Sequence, residues 1–325
     1  MSQDAGGPAR PARVAVVGSL NVDLVFTASR RPGAGETLQG TAFDVYSGGK
    51  GANQALAAAR AGGLVSLVGR TGDDPFGAQL RAALEADGVD LRHTGVDADA
   101  GTGVAGIVVQ PDGSNSIVVV SRANGRLGPA DVARAAGAIQ EAAVLLLQLE
   151  TPLAAAVAAA RLASEAGRTV VLNPAPAPMP GPGTEAELFA DLLRLTDIVV
   201  PNETEARQLT GIAADSPAGA AGAGRALLEG GPRAALITLG DRGAVLIEAG
   251  REDVALPPFD VHVVDTTAAG DAFCGALAVA LAEGQSLPLA ARFAAAAGAL
   301  AVTVAGAGPS LPRRQEIERL CAGHA

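Results

Sequence analysis

The segment Asp265-Thr-Thr-Ala-Ala-Gly-Asp-Ala-Phe273 places a carboxylate where a phosphate-binding helix should begin. Residues 259–264 alternate and are rich in β-branched side chains, which predicts a strand. Residues 272–281 are apolar and alanine-rich, which predicts a helix. Between them the backbone must turn through small residues, leaving the amides near Ala269, Gly270 and Asp271 without intrahelical partners. The free N–H groups and positive dipole end of such a helix start favour an anion. A carboxylate at Asp271 would repel a phosphate held there unless it had a chemical role. That role is to take the proton from a hydroxyl as the hydroxyl attacks phosphorus. The plainer alternative is that Asp271 caps the helix.

Other candidates lie far away in sequence. Asn21 and Asp23 are two apart, so in an extended chain they point the same way and can hydrogen-bond a polyol, although an ordinary turn would also use them. Gly48-Gly-Lys-Gly-Ala-Asn53 adds a flexible loop, with Gly49, Gly51 and Ala52 small enough for close approach and Asn53 supplying an amide. Lys50 is the only lysine in the chain, an expected exposed point charge among arginines. Glu150 ends an apolar strand, where parallel sheets place ligand contacts. Asn202 and Glu205 have the spacing of a capping box. Thr238, Leu239, Gly240, Asp241, Arg242 and Gly243 join two strands in a turn that could pass over phosphates or merely close a hairpin. Gly101-Thr-Gly-Val-Ala-Gly106 matches a dinucleotide fingerprint as text, but it leads into a strand instead of opening a helix. Lys50 is followed by glycine, so no Walker A loop is present either.

The elements that must hold these residues alternate. Strands are expected at 13–18, 64–69, 143–149, 169–173, 197–200 and 234–239. Helices are expected at 51–61, 75–86, 129–141, 152–166, 185–193, 203–210 and 217–229, with a Pro-rich loop after 173. Such alternation implies a mostly parallel sheet covered by helices on both faces. Two β-rich stretches, about 23–45 and 103–121, do not fit that sheet and are assigned to a small lid beside the strand ends. The second is split by Pro111-Asp-Gly113 and reads as a hairpin. The expected organisation is a disordered tail over 1–12 and a single domain over 13–325.

Composition removes several function classes. A net charge of −10 argues against nucleic acid, whose backbone needs a basic surface. No apolar run is long enough to span a membrane. The start of the chain lacks a signal-peptide apolar region, and two cysteines cannot build a disulfide framework, so a reducing cytoplasm is expected. The three histidines are scattered, with nothing like a zinc site. Only 2% of residues are aromatic, so the core must be built from Ala, Val and Leu.

Taken in order over 14–317, these segments resemble the PfkB family of carbohydrate kinases, and within it the ribokinase branch. The Gly-Gly-Lys-Gly-Ala-Asn-Gln-Ala segment and the Asp-Thr-Thr-Ala-Ala-Gly-Asp-Ala-Phe segment carry the resemblance. Asn-Pro-Ala-Pro-Ala at 173–177, Pro-Asn-Glu-Thr-Glu-Ala from Pro201 and Gly-Ala-Gly-Pro-Ser at 306–310 strengthen it. The resemblance implies an α/β fold, a Rossmann-like α/β/α sandwich with a small β-sheet lid, and dimerisation through that lid. It implies transfer of the γ-phosphoryl group of ATP to the 5-hydroxyl of D-ribose, with Mg2+ and an activating K+. Asp271 would be the base, and the amides around Ala269 and Gly270 the anion hole. Asn21, Asp23, Gly49, Lys50, Gly51, Ala52, Asn53 and Glu150 would hold the sugar. Asn202 would lie near the nucleotide, with Thr238, Leu239, Gly240, Asp241, Arg242 and Gly243 lining the ATP site beside Gly270 and Asp271. Glu205 would organise magnesium through water. Asp265, the carbonyls of Thr267, Ala301, Val304 and Gly306, and Ser310 would surround the potassium ion.

Two positions depart from the family pattern. Cys274 stands where asparagine is usual, and Ala295 where relatives carry a polar side chain near adenine. The alternatives within the class are kinases for deoxyribose, a keto-deoxy sugar acid or adenosine, although few aromatics are present to stack on a base. A sugar-binding regulator without chemistry is the alternative outside it, and the intact Gly270-Asp271 pair argues against that.

Overall fold

The computed structural model describes residues 11–178 and 183–323. The expected tail lies outside them over 1–10, as do part of the Pro-rich loop and His324. The strands are, in chain order, β1 (Arg13–Val17), β2 (Asn21–Thr27), β3 (Ala42–Gly48), β4 (Leu64–Gly72), β5 (Thr94–Asp97), β6 (Gly103–Val109) and β7 (Asn115–Val120). They continue with β8 (Val144–Leu147), β9 (Thr169–Leu172), β10 (Ile198–Val199), β11 (Ala234–Thr238), β12 (Ala244–Glu248) and β13 (Val254–Leu256). Nine of them form one sheet in the order β13-β12-β11-β10-β9-β8-β1-β4-β5. It is parallel from β11 to β5, and the β11–β12 and β12–β13 pairs are antiparallel.

The two-residue period of the strands divides the core. Val14, Val16, Leu67, Leu146 and Ile198 face the helices Lys50–Arg60, Ala269–Ala282 and Leu287–Ala301. Ala15, Val17, Val68, Leu145 and Leu147 face the opposite way, onto the helix Leu153–Glu165 and its neighbours. Both faces of the sheet are therefore covered, which is why central strands such as β8 and β10 are wholly apolar. Each fully buried Val or Leu contributes about 1.5–3 kcal/mol by leaving water. This is the expected three-layer sandwich.

The lid is a second sheet, in the order β3-β2-β6-β7. β2 leaves the carboxyl end of β1 after only Gly18-Ser-Leu20, so the lid is hinged at the end of the sheet where parallel strands bind ligands. The Pro111 turn closes an antiparallel β6–β7 hairpin, as expected.

Two expected elements differ. Residues 259–264 form no strand; Val264 and Asp265 donate their amides to Val302 O instead, so the terminus of a neighbouring helix satisfies backbone that a sheet would have paired. The helix expected over 129–141 is two, Pro129–Arg134 and Ala136–Glu141, separated where the Ala135 amide is shared between the carbonyls of Asp131 and Val132. The helices Leu287–Ala301 and Arg314–Ala322 add to the first face without having been expected.

Candidate active site

A cleft of about 190 Å³ opens at the carboxyl ends of the parallel strands, and Lys50, Asn202, Glu205, Thr238, Gly270 and Asp271 are among its lining residues. These come from four segments far apart in sequence, each expected to carry chemistry. Asp271 is in the first turn of the helix Ala269–Ala282, not at its N-cap, which is Ala268. The capping alternative is therefore excluded, because the Asp271 side chain turns away from the helix amides. Its Oδ2 accepts from Asn53 Nδ2 at 3.0 Å and its Oδ1 from Gln54 Nε2 at 2.9 Å. Burial raises the Asp271 carboxyl above its usual range, against the opposing pull of Lys50 and of these two donors.

The helix start leaves room and donors for an anion. Among the described residues the amides of Gly270 and Asp271 have no partner, and that of Ala269 makes only a long 3.4 Å bond to Thr266 O. A side chain on Gly270 would meet nothing within 4 Å, so open space lies beside these donors. Ala268 holds a left-handed φ of 60°, a conformation costly for alanine, where the chain turns into the helix.

Lys50 is sunk among carboxylates, contrary to the exposed position expected for it. Burial alone would lower its ammonium, but Asp271, Glu150 and Glu205 outweigh that and hold it above its usual range. Glu150 Oε2 accepts from the Lys50 amide at 3.1 Å and from Ser19 Oγ at 2.6 Å, tying the strand end to the glycine loop. Gly49 has a φ of 86°, and a Cβ there would lie 2.6 Å from the Asn21 amide, so only glycine fits. The helix beginning at Lys50 continues through Gly51, Ala52 and Asn53, all buried.

On the lid, Asn21 and Asp23 lie on one face of β2, paired with Gly48 and Tyr46 of β3. Asn21 Oδ1 accepts from Asn124 Nδ2 at 2.8 Å. Burial first, then the charges of Glu150 and Asp271, push the Asp23 carboxyl up to about 6. Three carboxylates thus converge with one ammonium, an arrangement suited to polar hydroxyls.

On the side expected to hold the nucleotide, Asn202 and Glu205 form the expected capping box, with bonds of 2.9 and 2.8 Å. Burial raises the Glu205 carboxyl, opposed by the Asn202 amide and by Lys50. Of the turn from Thr238 to Gly243, Thr238 is the residue among the cleft-lining set. Leu239 is buried, Gly240–Arg242 is a short 3-10 turn, Asp241 is exposed, and Arg242 pairs with Glu203 outside the cleft. Gly243 is fixed by packing on the Leu256 carbonyl. Ala295 is half-buried on its helix and Cys274 lines the cleft, with burial pushing its thiol up and away from reactivity.

The expected cation residues are only partly brought together. Asp265 Oδ1 accepts from the Thr267 amide at 2.9 Å and Oδ2 from the Gly306 amide at 2.9 Å, joining the two loops. These bonds hold the Asp265 carboxyl below its usual range against its partial burial, the largest single influence, which acts to raise it. Ser310 Oγ is turned to Ala307 O within its own turn, Ala301 O accepts from the Val304 amide, and Val304 is exposed.

Four polar residues at the site escaped the sequence reading as individuals: Gln54, Asn124, Gln148 and Asn173. Gln54 and Asn173 lie inside quoted motifs, which was the available signal; Asn124 and Gln148 carried none.

The comparisons with known proteins agree with this geometry. Residues 11–314 match the model of the pfkB family carbohydrate kinases. Ribokinase of Haemophilus influenzae is 40% identical over 302 residues, covering 93% of this chain and 95% of its own. Deoxyribokinase of Salmonella typhi is 36% identical, covering 92% and 95%. The solved structure of Arabidopsis thaliana ribokinase complexed with ribose and ATP superposes with a TM-score of 0.86 at 34% identity, covering 96% of this chain and 99% of that one. A match over nearly the whole length, with Asp271 and the glycine loop converging on one cleft, leads to one conclusion: the chain belongs to the pfkB family of carbohydrate kinases.

Proposed function

We propose that the chain transfers the γ-phosphoryl group of ATP to the 5-hydroxyl of D-ribose, giving D-ribose 5-phosphate and ADP. The observation that carries this reading is Asp271, buried beside unpartnered helix-start amides and bonded to Asn53 on the glycine-loop side. Asn21, Asp23, Glu150, Lys50 and Asn53 hold the sugar with Gly49, Gly51 and Ala52 allowing close approach. The 5-hydroxyl oxygen bonds to the γ-phosphorus as the bond to the bridging oxygen of ADP breaks, and the hydroxyl proton passes to Asp271. The amides of Ala269, Gly270 and Asp271 face the charge on the transferring group. Thr238 and Asn202 border the nucleotide, with the rest of the 238–243 turn supporting it from behind.

Glu205, a buried carboxylate facing the cleft, fits a water-mediated hold on Mg2+, which supplies charge neutralisation across the phosphates when bound. Asp265, with the carbonyls of Thr267, Ala301, Val304 and Gly306 and the hydroxyl of Ser310, is the oxygen-rich set we assign to K+. One carboxylate among neutral oxygens suits a monovalent hard cation. The two free cysteines fit a cytoplasmic setting.

A second sugar has support from a specific relative, the deoxyribokinase, which is nearly as similar as the ribokinases. A coupled ADP-release assay across ribose, deoxyribose, fructose and adenosine separates the readings. Ribose should give the highest kcat/KM. Preference for deoxyribose would move the sugar assignment, and turnover with none would favour a non-catalytic sugar binder.

The reading includes a homodimer through the lid. Phe26 and Phe43 pack in a tilted pair with ring centroids 5.0 Å apart and, with Val118 and Val120, lie exposed on the lid face opposite Asn21 and Asp23. Contiguous exposed apolar side chains of this kind mark association surfaces. Light scattering should give twice the 32.0 kDa chain mass at micromolar concentration. A monomeric mass there would contradict it.

A further inference from the structure

Behind the cleft, a chain of buried amides runs across the ends of three neighbouring strands and finishes on Asp271. Gln148 follows β8, Asn173 follows β9, and Val200 follows β10. Asn173 Nδ2 donates to Val200 O at 2.8 Å, and Gln54 Nε2 donates to Asn173 Oδ1 at 3.1 Å. The same Gln54 nitrogen donates to Asp271 Oδ1 at 2.9 Å, and Gln54 Oε1 accepts from Gln148 Nε2 at 2.6 Å. Gln54 and Gln148 are fully buried.

The direction of this chain is fixed at both ends. A main-chain carbonyl can only accept, and so can an ionised carboxylate. Asn173 must therefore point its nitrogen at Val200, which turns its oxygen to Gln54. Gln54 must then present its nitrogen to both Asn173 and Asp271, which uses both of its hydrogens. Gln148 Oε1 is left without a partner, and flipping Gln148 would only set that oxygen against Gln54 Oε1.

The helices enforce the contact. Gly275 lies one turn after Asp271 on the same helix face. A Cβ on Gly275 would sit 2.6 Å from Ala57 Cβ and 2.7 Å from Gln54 O, so the absence of a side chain lets the two helices meet where Gln54 reaches Asp271.

We propose that Gln54 is the positioning residue for Asp271, anchoring Oδ1 to the sheet so that Oδ2, beside Asn53, is the oxygen that takes the hydroxyl proton. The proposal rests on the reading of Asp271 as the base. Gln54 sets the carboxylate plane and, by donating to the charged form, favours an ionised base. Lys50 from the same helix acts in the same direction. Glu150 at the sheet end opposes it, and Asp23 on the lid, Glu205 on the nucleotide side and Cys274 one turn along also face this cluster.

The test compares Gln54→Met, Gln148→Met and Asp271→Asn by kcat, KM for ribose, pH profile and thermal melting. Gln54→Met keeps the volume and removes the donor. Its kcat should fall about 10–100-fold, the cost of a misaligned reacting group, with KM for ribose nearly unchanged. The acid limb of its kcat profile should move up by about one pH unit, because a hydrogen bond to the charged form is lost. A packing role alone would lower the melting temperature without moving that limb. Gln148→Met should shift kcat and the limb the same way by less, and it decides the matter if Gln54→Met does not fold. Unchanged kcat and limb in the folded variants, with Asp271→Asn inactive, would overturn the proposal and leave the base assignment standing. Activity in Asp271→Asn would overturn the base assignment and this proposal with it.

Discussion

Asp271→Asn is expected to lower kcat by about 10²–10⁴-fold, the usual contribution of a positioned general base. The substitution keeps the size and planarity of the side chain, and one of the two donors, Asn53 or Gln54, keeps an acceptor. What it removes is the capacity to take a proton. Stability should not fall in step. Burial raises the folded-state value of Asp271 above its unfolded one, so at neutral pH its ionisation works against folding. That penalty is present above the raised value and vanishes below the unfolded one. Replacing the acid by a neutral amide removes it, so the melting temperature at pH 7 should hold or rise. The check is a pair of measurements, initial rate and thermal melt, on one preparation. Activity within a few-fold of wild type would reduce Asp271 to a structural carboxylate.

Potassium is expected to activate turnover well beyond sodium, and tetramethylammonium not at all. Asp265 lies six positions before Asp271, and its hydrogen bonds to Thr267 and Gly306 tie the anion-binding turn to the 301–310 loop. Its carboxyl stays below the usual range, so a full negative charge sits there at neutral pH. A cation among those oxygens would neutralise that charge and fix the turn through Ala268, whose left-handed backbone already requires support. Each oriented amide facing a transition-state charge is worth about 3–4 kcal/mol, so partial disorder of the turn should cost at least tenfold in rate. Sodium is smaller and would draw the carbonyls inward, giving less activation. The residues proposed for the ion are separate from those proposed for the sugar, so kcat or the nucleotide KM should respond more than the KM for ribose. Initial rates at saturating ribose and Mg-ATP, with each salt in turn and residual metal excluded, check this. Equal rates in all three would remove the cation assignment.

Much of the site is legible in the sequence because its chemistry is concentrated in short segments. The glycine loop around Lys50 needs small residues for steric reasons, the turn before Asp271 keeps open space beside its free amides, and small residues next to a charge stand out. The buried amides do not. Gln54 lies in an alanine-rich helix, where a lone amide reads as a solvated position. Its partner Asp271 is 217 residues away, so nothing local reveals the contact. Lys50 shows the same limit. A glycine loop predicts exposure, but Asp271, Glu150 and Glu205 close around it only in the fold. The fold itself follows from period and length wherever a strand is buried on both faces. It fails at 259–264, where β-branched alternation is satisfied by the carbonyl of Val302 and not by a neighbouring strand. Sequence pattern reports what a segment can pair with, and the tertiary structure decides which partner arrives.

The most direct test of the central claim is phosphorus NMR of a reaction containing the purified chain, D-ribose and Mg-ATP in KCl. One new phosphomonoester is expected, coupled to the protons of carbon 5 of ribose and formed in step with ADP. A phosphoester on another carbon would contradict the placement of Asp271 against the 5-hydroxyl. ADP and free phosphate without any sugar phosphate, or no ADP at all, would contradict the assignment of a ribose kinase.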